Sequence, residues 1–79
     1  MSIAIIGGTG PQGRGLALRF AKKGFNVLIG SRDKSNAVKT SEELNTILGA
    51  NFGKITGHSN TEVAEKTVDF VIIAVPWSG

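Results

Sequence analysis

The sequence contains no cysteine. That excludes disulfides, thiolate catalysis and zinc held by thiolates, and it fits a reducing cytoplasm. It contains no tyrosine either, and only one histidine and one tryptophan, His58 and Trp77. His58 has no set of acids or cysteines beside it in the sequence with which to hold a metal or build a catalytic group, so it reads as a loop histidine. No apolar run approaches the roughly 20 residues of a membrane span. The first residues lead straight into a strand, without the basic and apolar regions of a signal peptide. Lysines and arginines are scattered, and no aromatic residues interleave with them, so no nucleic-acid surface is expected. Internal repeats and low-complexity segments are absent.

What is there suits one small globular domain. The chain has 79 residues, 41% hydrophobic and 19% charged. A chain of this size buries roughly 60–65% of its unfolded surface, so its stability is expected to be marginal. The net charge of +3 mildly favours an anionic ligand.

Residues 3–13 organise the rest. Ile3 to Ile6 is an unbroken apolar run, as in a parallel strand buried on both faces. Gly8, Gly10 and Gly13 then fit the G-x-G-x-x-G spacing, and a helical pattern follows. The first glycine lets the chain turn sharply. The second has no side chain to hold a pyrophosphate away, and the third lets the helix approach the sheet. The helix presents free N–H groups and the positive end of its dipole to the phosphates. Strand before and helix after are the context this motif requires. Gly7, Gly10 and Gly13 also fit the G-x-x-G-x-x-G of short-chain dehydrogenases, but the catalytic Tyr of those enzymes has no counterpart here. A mononucleotide phosphate loop needs Lys and then Ser or Thr after Gly13, where Arg14 and Gly15 stand.

Pro11 suits the first position of this helix. Leu16, Ala17, Phe20 and Ala21 form its apolar stripe, and Gly24 ends it as a left-handed cap. Phe25 to Ile29 reads as the second strand. About 20 residues past the glycines, where an NAD-binding domain places a carboxylate, stand Ser31 and Arg32. A hydroxyl and a guanidinium accept a 2′-phosphate that a carboxylate would repel, so NADP is preferred. Asp33 reads as the N-cap of a helix over 34–48, with Ala37, Val38, Ser41, Leu44, Ile47 and Leu48 on its inner face. Lys34 and Lys39 read as solvated. Ile55 to Gly57 is a short third strand. Ser59 and Glu62 suggest a capping box for a helix over 61–66. Asp69 to Val75 is the fourth strand, apolar from Phe70 onward. Trp77 follows it on the cofactor side, as a nicotinamide wall or as a packing residue.

These elements predict an α/β fold: the N-terminal half of a Rossmann-type doubly wound parallel sheet, strand order 3-2-1-4, with right-handed crossovers. That order leaves the apolar fourth strand outermost. An exposed apolar edge pairs with other chains, so self-association, or cover by a further C-terminal half, is expected.

Ile5-Ile6-Gly7-Gly8-Thr9-Gly10, Gly13 to Arg19, Gly30-Ser31-Arg32, Ile55-Thr56-Gly57 and Val75-Pro76-Trp77 together resemble the N-terminal domain of the NADP oxidoreductases that depend on the deazaflavin coenzyme F-420 (also written F420). Archaeal prephenate dehydrogenases share the Gly-Gly-Thr-Gly turn. The resemblance covers essentially the whole chain. It implies hydride transfer between NADPH and the deazaflavin, with NADP(H) as cofactor and F420 as co-substrate. It implies that Thr9, Gly10, Pro11 and Gln12 lie along the phosphates. Ser31 and Arg32 would hold the 2′-phosphate, with Pro76 and Trp77 near the nicotinamide. The family often has a further basic residue early in the second helix, where this sequence has Asn36. Family members also continue into a second half and a helical domain that helps bind the deazaflavin.

Residues 1–79 are therefore expected to be one NADP-binding domain of a cytoplasmic oxidoreductase. No catalytic residue and no metal ligand is assigned, and these residues by themselves are not expected to turn over. The alternative is a non-catalytic NADP-binding module that acts with a partner chain.

Overall fold

The computed structural model of the chain describes residues 1–7, 9–49, 54–66 and 68–74. Strand β1 is Ser2–Ile6, helix α1 Pro11–Lys22, β2 Asn26–Ser31 and α2 Lys34–Leu48. Strand β3 is Ile55–Ser59, α3 Asn60–Glu65 and β4 Phe70–Ile73. All four strands are parallel, in the order β3-β2-β1-β4, as the sequence predicts. Helices α1 and α2 pack against each other. From β3 the chain reverses direction across the sheet to reach β4. With right-handed crossovers, that reversal sends α3 over the opposite face.

The central strands carry the core. Ile3, Ala4, Ile5, Val27 and Ile29 are almost completely buried. From α1 come Ala17 and Ala21, and from α2 Ala37, Leu44 and Leu48. Leu16 and Phe20 pack partly against them. On α2 the inner face differs from the predicted one by one position. Thr40 is buried, whereas Ile47 is 64% exposed.

Local signals set most helix ends. Pro11 opens α1, and Gly24, at φ 92°, follows its last turn. Asp33 caps α2, its Oδ1 accepting the Ser35 N–H at 2.9 Å. The Ser59–Glu62 capping box on α3 is complete: Ser59 Oγ accepts the Glu62 N–H at 3.1 Å, and Glu62 Oε1 accepts the Ser59 N–H at 3.1 Å.

Strand ends follow pairing instead. Strand β2 runs to Ser31, and each added residue finds a partner on β3, His58 opposite Gly30 and Ser59 opposite Ser31. The third strand is therefore longer than Ile55 to Gly57. His58 stands on it and not in a loop, with Nε2 2.9 Å from Thr56 Oγ1. Phe25 falls just outside β2, its ring edge-on to Phe20 at 5.9 Å. In the fourth strand, Val75 lies outside the described residues.

Helix α2 lies very close to β3. A Cβ on Gly57 would run into the backbone of Ala37 and Val38. Beside it, Asn45 Nδ2 donates to the Ile55 carbonyl at 2.7 Å and its Oδ1 accepts the Ile55 N–H at 3.1 Å. Strand β4 forms the other edge and pairs only with β1 among the described residues. Phe70, Val71 and Ile73 are 56%, 56% and 66% exposed.

The contact at Gly57 has a measurable consequence. Gly57→Ala is expected to destabilise the fold by about 1–3 kcal/mol, the usual cost of overfilling a packed site. Gly15→Ala, in α1 with nothing within 4 Å of its added Cβ, should stabilise it by roughly 0.5–1 kcal/mol through helix propensity. Urea unfolding of the two variants should give shifts of opposite sign; equal shifts would mean that space at Gly57 is not limiting.

Candidate functional site

The carboxyl ends of the strands open on one cleft of about 590 Å³, within the roughly 300–1,000 Å³ of small-molecule sites. Ile6 and Gly7 come from the end of β1. Thr9, Gly10, Pro11, Gln12 and Gly13 come from the turn and the start of α1. Ser31 and Arg32 end β2, Asn60 opens α3 and Ala74 follows β4. Seven described residues that the sequence marks as site residues thus fall into two groups on one cleft, the glycine turn and the end of β2. Gly8, Pro76 and Trp77 lie outside the described residues.

The turn is held from both sides. The Gly7 N–H donates to the Gly30 carbonyl at 2.9 Å, and the Ala74 N–H donates to the Ile6 carbonyl at 2.9 Å. Gly7 has φ 77°, and a Cβ there would lie 2.5 Å from the Ala74 carbonyl oxygen. Both facts demand glycine. Gly7 thus takes a backbone turn of its own, while Gly8, to which the spacing assigns the sharp turn, lies outside the described residues.

Gly10 is different. It is the N-cap of α1, with extended backbone at φ −78° and ψ 170°. A Cβ would meet nothing within 4 Å among the described residues. Protein packing therefore gives no reason for glycine here, and the open space faces the cleft. Having no side chain, Gly10 also leaves the first N–H groups of α1 without a side-chain cap, and the first turn holds no acid. Free N–H groups at a helix start attract an anion. Gly13 is buried on α1.

At the other group, Ser31 is buried and its Oγ accepts the Asp33 N–H at 3.2 Å. Arg32 is exposed and forms no ion pair with a described residue. Neighbouring cations are engaged. Arg14 Nη2 lies 2.8 Å from Glu43 Oε2. Lys34 Nζ lies 3.2 Å from both oxygens of Glu62, tying α2 to α3. The Ser59 backbone N–H, and then Lys34, hold the Glu62 carboxyl below its ordinary range. Partial burial, then the charge of Lys66, pushes His58 below the ordinary imidazole range, so it is neutral near pH 7. A catalytic partner for it is not present among the described residues.

Asn60 is the lining residue that sequence reasoning misses. It follows the capping serine directly, so it reads as part of a short helix. Its position just past the end of a parallel strand is the available signal, since ligands of such sheets bind there. Among the described residues no three His, Cys, Asp or Glu side chains come together as a metal site, and no helix is long and apolar enough to cross a membrane.

The family described as NADP oxidoreductase, coenzyme F420-dependent, matches residues 2–79. An F420-dependent NADP reductase of Methanothermobacter thermautotrophicus is 46% identical over 76 residues, covering 96% of this chain and 32% of the relative. Its namesake in Methanocaldococcus jannaschii is 43% identical over 79 residues, covering 98% and 34%. A probable arogenate/prephenate dehydrogenase of the same organism is 38% identical over 76 residues, covering 96% and 15%. The chain spans about a third of the length of the reductases it matches. It belongs to the coenzyme F420-dependent NADP oxidoreductase family.

Proposed function

We propose that this family member uses the cleft to hold NADP(H), and that residues 1–79 are the NADP-binding domain of an enzyme transferring hydride between NADPH and coenzyme F420. One observation carries the reading. An uncapped helix start behind an open glycine and an unengaged arginine share a single cleft at the carboxyl end of a parallel sheet. In this reading the backbone from Gly8 to Gly13 and the side chains of Thr9 and Gln12 follow the pyrophosphate, with Pro11 starting the helix. Ser31 and Arg32 take the 2′-phosphate. Pro76 and Trp77, just past β4, meet the nicotinamide end. The nicotinamide, when bound, supplies the hydride chemistry. The protein's part is orientation: the pyrophosphate is fixed at one end of the cleft and the 2′-phosphate at the other. No side chain of this chain is needed to move a proton.

The rest of the polypeptide enters through β4. Exposed Phe70, Val71 and Ile73 favour a further strand beside them, and the reductases it matches are about three times longer than this chain. Produced without further sequence, residues 1–79 should self-associate through this edge. Sedimentation at about 100 µM is expected to show dimers or larger species; a clean monomer would remove the inference that β4 needs cover.

Binding is tested by titration with NADPH and NADH, followed by Trp77 fluorescence. NADPH should bind more tightly. A hydrogen bond to a charged group contributes roughly 1.5–3 kcal/mol, so Arg32→Ala should weaken NADPH about 10- to 100-fold and leave NADH nearly unchanged. Gly10→Val should keep a folded circular-dichroism spectrum and lose measurable affinity for both. Wild-type affinity in a folded Gly10→Val variant would refute the pyrophosphate assignment, and equal losses for both cofactors in Arg32→Ala would refute the 2′-phosphate assignment.

Hydride transfer needs two rings held with reacting atoms about 3–3.5 Å apart, and this domain holds one of them. NADPH oxidation with oxidised F420 should therefore occur with the longer polypeptide and not with residues 1–79. Turnover by the 79-residue chain would place the second ring on this domain or on its dimer. A longer polypeptide that binds NADPH without turnover would favour the non-catalytic module.

A further inference from the structure

We propose that Asn60 is a cofactor-binding residue that takes the adenosine half of the dinucleotide; this rests on the cleft being the NADP(H) site. Asn60 opens α3 just past the end of β3 and lines the cleft together with Ser31 and Arg32. Its Oδ1 is fully buried, yet accepts no hydrogen bond among the described residues. Such an atom costs stability, and native folds rarely leave one unpaired without a use for it.

The burial is specific. Oδ1 sits 2.7 Å from where a Cβ on Gly30 would stand, so the glycine at the end of β2 makes room for the amide. The carbonyl of the same Gly30 accepts the Gly7 N–H, which puts the amide at the root of the phosphate turn. The fold has no other task for it. Ser59 and Glu62 cap α3, and Val63 supplies its buried apolar side chain. The amide oxygen is thus held without a partner among the described residues at the edge of a ligand cleft. The adenosine half of the cofactor carries the missing donors, the ribose hydroxyl and the adenine amino group. On binding, the amide turns from Gly30 into the cleft and replaces an unpaired oxygen with a paired one. Because NADPH and NADH share this half, Asn60 serves both, whereas Arg32 reads only the 2′-phosphate.

The test is Asn60→Ala, with NADPH, NADH and adenosine 2′,5′-bisphosphate as titrants and the thermal melt of the unliganded protein as the second readout. Losing one neutral hydrogen bond corresponds to about a 3- to 10-fold weaker affinity. That loss is expected for all three ligands, while the melting temperature stays level or rises because the unpaired atom is gone. Unchanged affinity would overturn the proposal. A lower melting temperature, with or without weaker binding, would assign Asn60 to the fold and overturn it as well. A loss confined to NADPH and the bisphosphate would move Asn60 to the 2′-phosphate and overturn the adenosine assignment. If the wild-type protein binds none of the three, the NADP(H) reading itself fails, and this proposal fails with it.

Discussion

The rest of the structure depends on the backbone at Gly7. This residue leaves β1 with φ 77° and passes within 2.5 Å, measured from a notional Cβ, of the Ala74 carbonyl oxygen. Its N–H is bound to Gly30 on one side, and the preceding carbonyl, of Ile6, receives the Ala74 N–H on the other. The turn therefore joins the ends of β2, β1 and β4. It also fixes where α1 begins, and with it the N–H groups that face the cleft. A side chain here would have to separate β1 from β4, and the cleft would lose both its floor and its edge. Gly10, three residues on, carries no such duty. It has ample room, and that room belongs to the cleft.

Charge around the cleft is arranged by exclusion. Arg14 is drawn to Glu43 and Lys34 to Glu62. Exposed pairs of this kind add little stability. Their effect here is on position: two cations are turned to neighbouring helices, and Arg32 stands just past the end of β2 in no ion pair with a described residue. A carboxylate there would repel a phosphate, and Asp33, the nearest acid in sequence, is occupied as the N-cap of α2. Its side chain serves the helix, while Ser31 turns its hydroxyl back to the Asp33 N–H. One short stretch thus closes a strand, starts a helix and leaves a guanidinium in no ion pair with a described residue.

The two sheet edges are treated differently. At β3, Asn45 bonds both backbone groups of Ile55, and α2 lies on Gly57 without room for a methyl. The β3 side is thus covered at Ile55 and Gly57. At β4, Phe70, Val71 and Ile73 face outward, on strands that otherwise alternate with helices in the manner of a doubly wound sheet. That edge keeps its apolar side chains exposed, and the chain spans about a third of the length of the reductases it matches.

Much was legible in the sequence because it rests on local chemistry. Apolar runs mark β1 and β4, Pro11 and Asp33 start helices, Gly24 follows one, and Ser59 with Glu62 makes a capping box; each depends on residues within a few positions of one another. The order 3-2-1-4 follows from the same elements and from crossover handedness, and the glycine spacing with Ser31 and Arg32 brought seven of the described lining residues into view. Tertiary contact decided the rest. Strand β3 runs on through His58 and Ser59 because β2 offers them partners, which no property of those two residues announces. Thr40 is inside and Ile47 outside because of how α2 sits on the sheet, with Gly57 pressed to its backbone. Position 7 admits only glycine because the Ala74 carbonyl is there. Asn60 joins the cleft because Gly30, thirty positions earlier, leaves space for its amide. Local propensity is written in neighbours along the chain; the closeness of two backbones, or of an amide and a glycine, exists only after the sheet has formed.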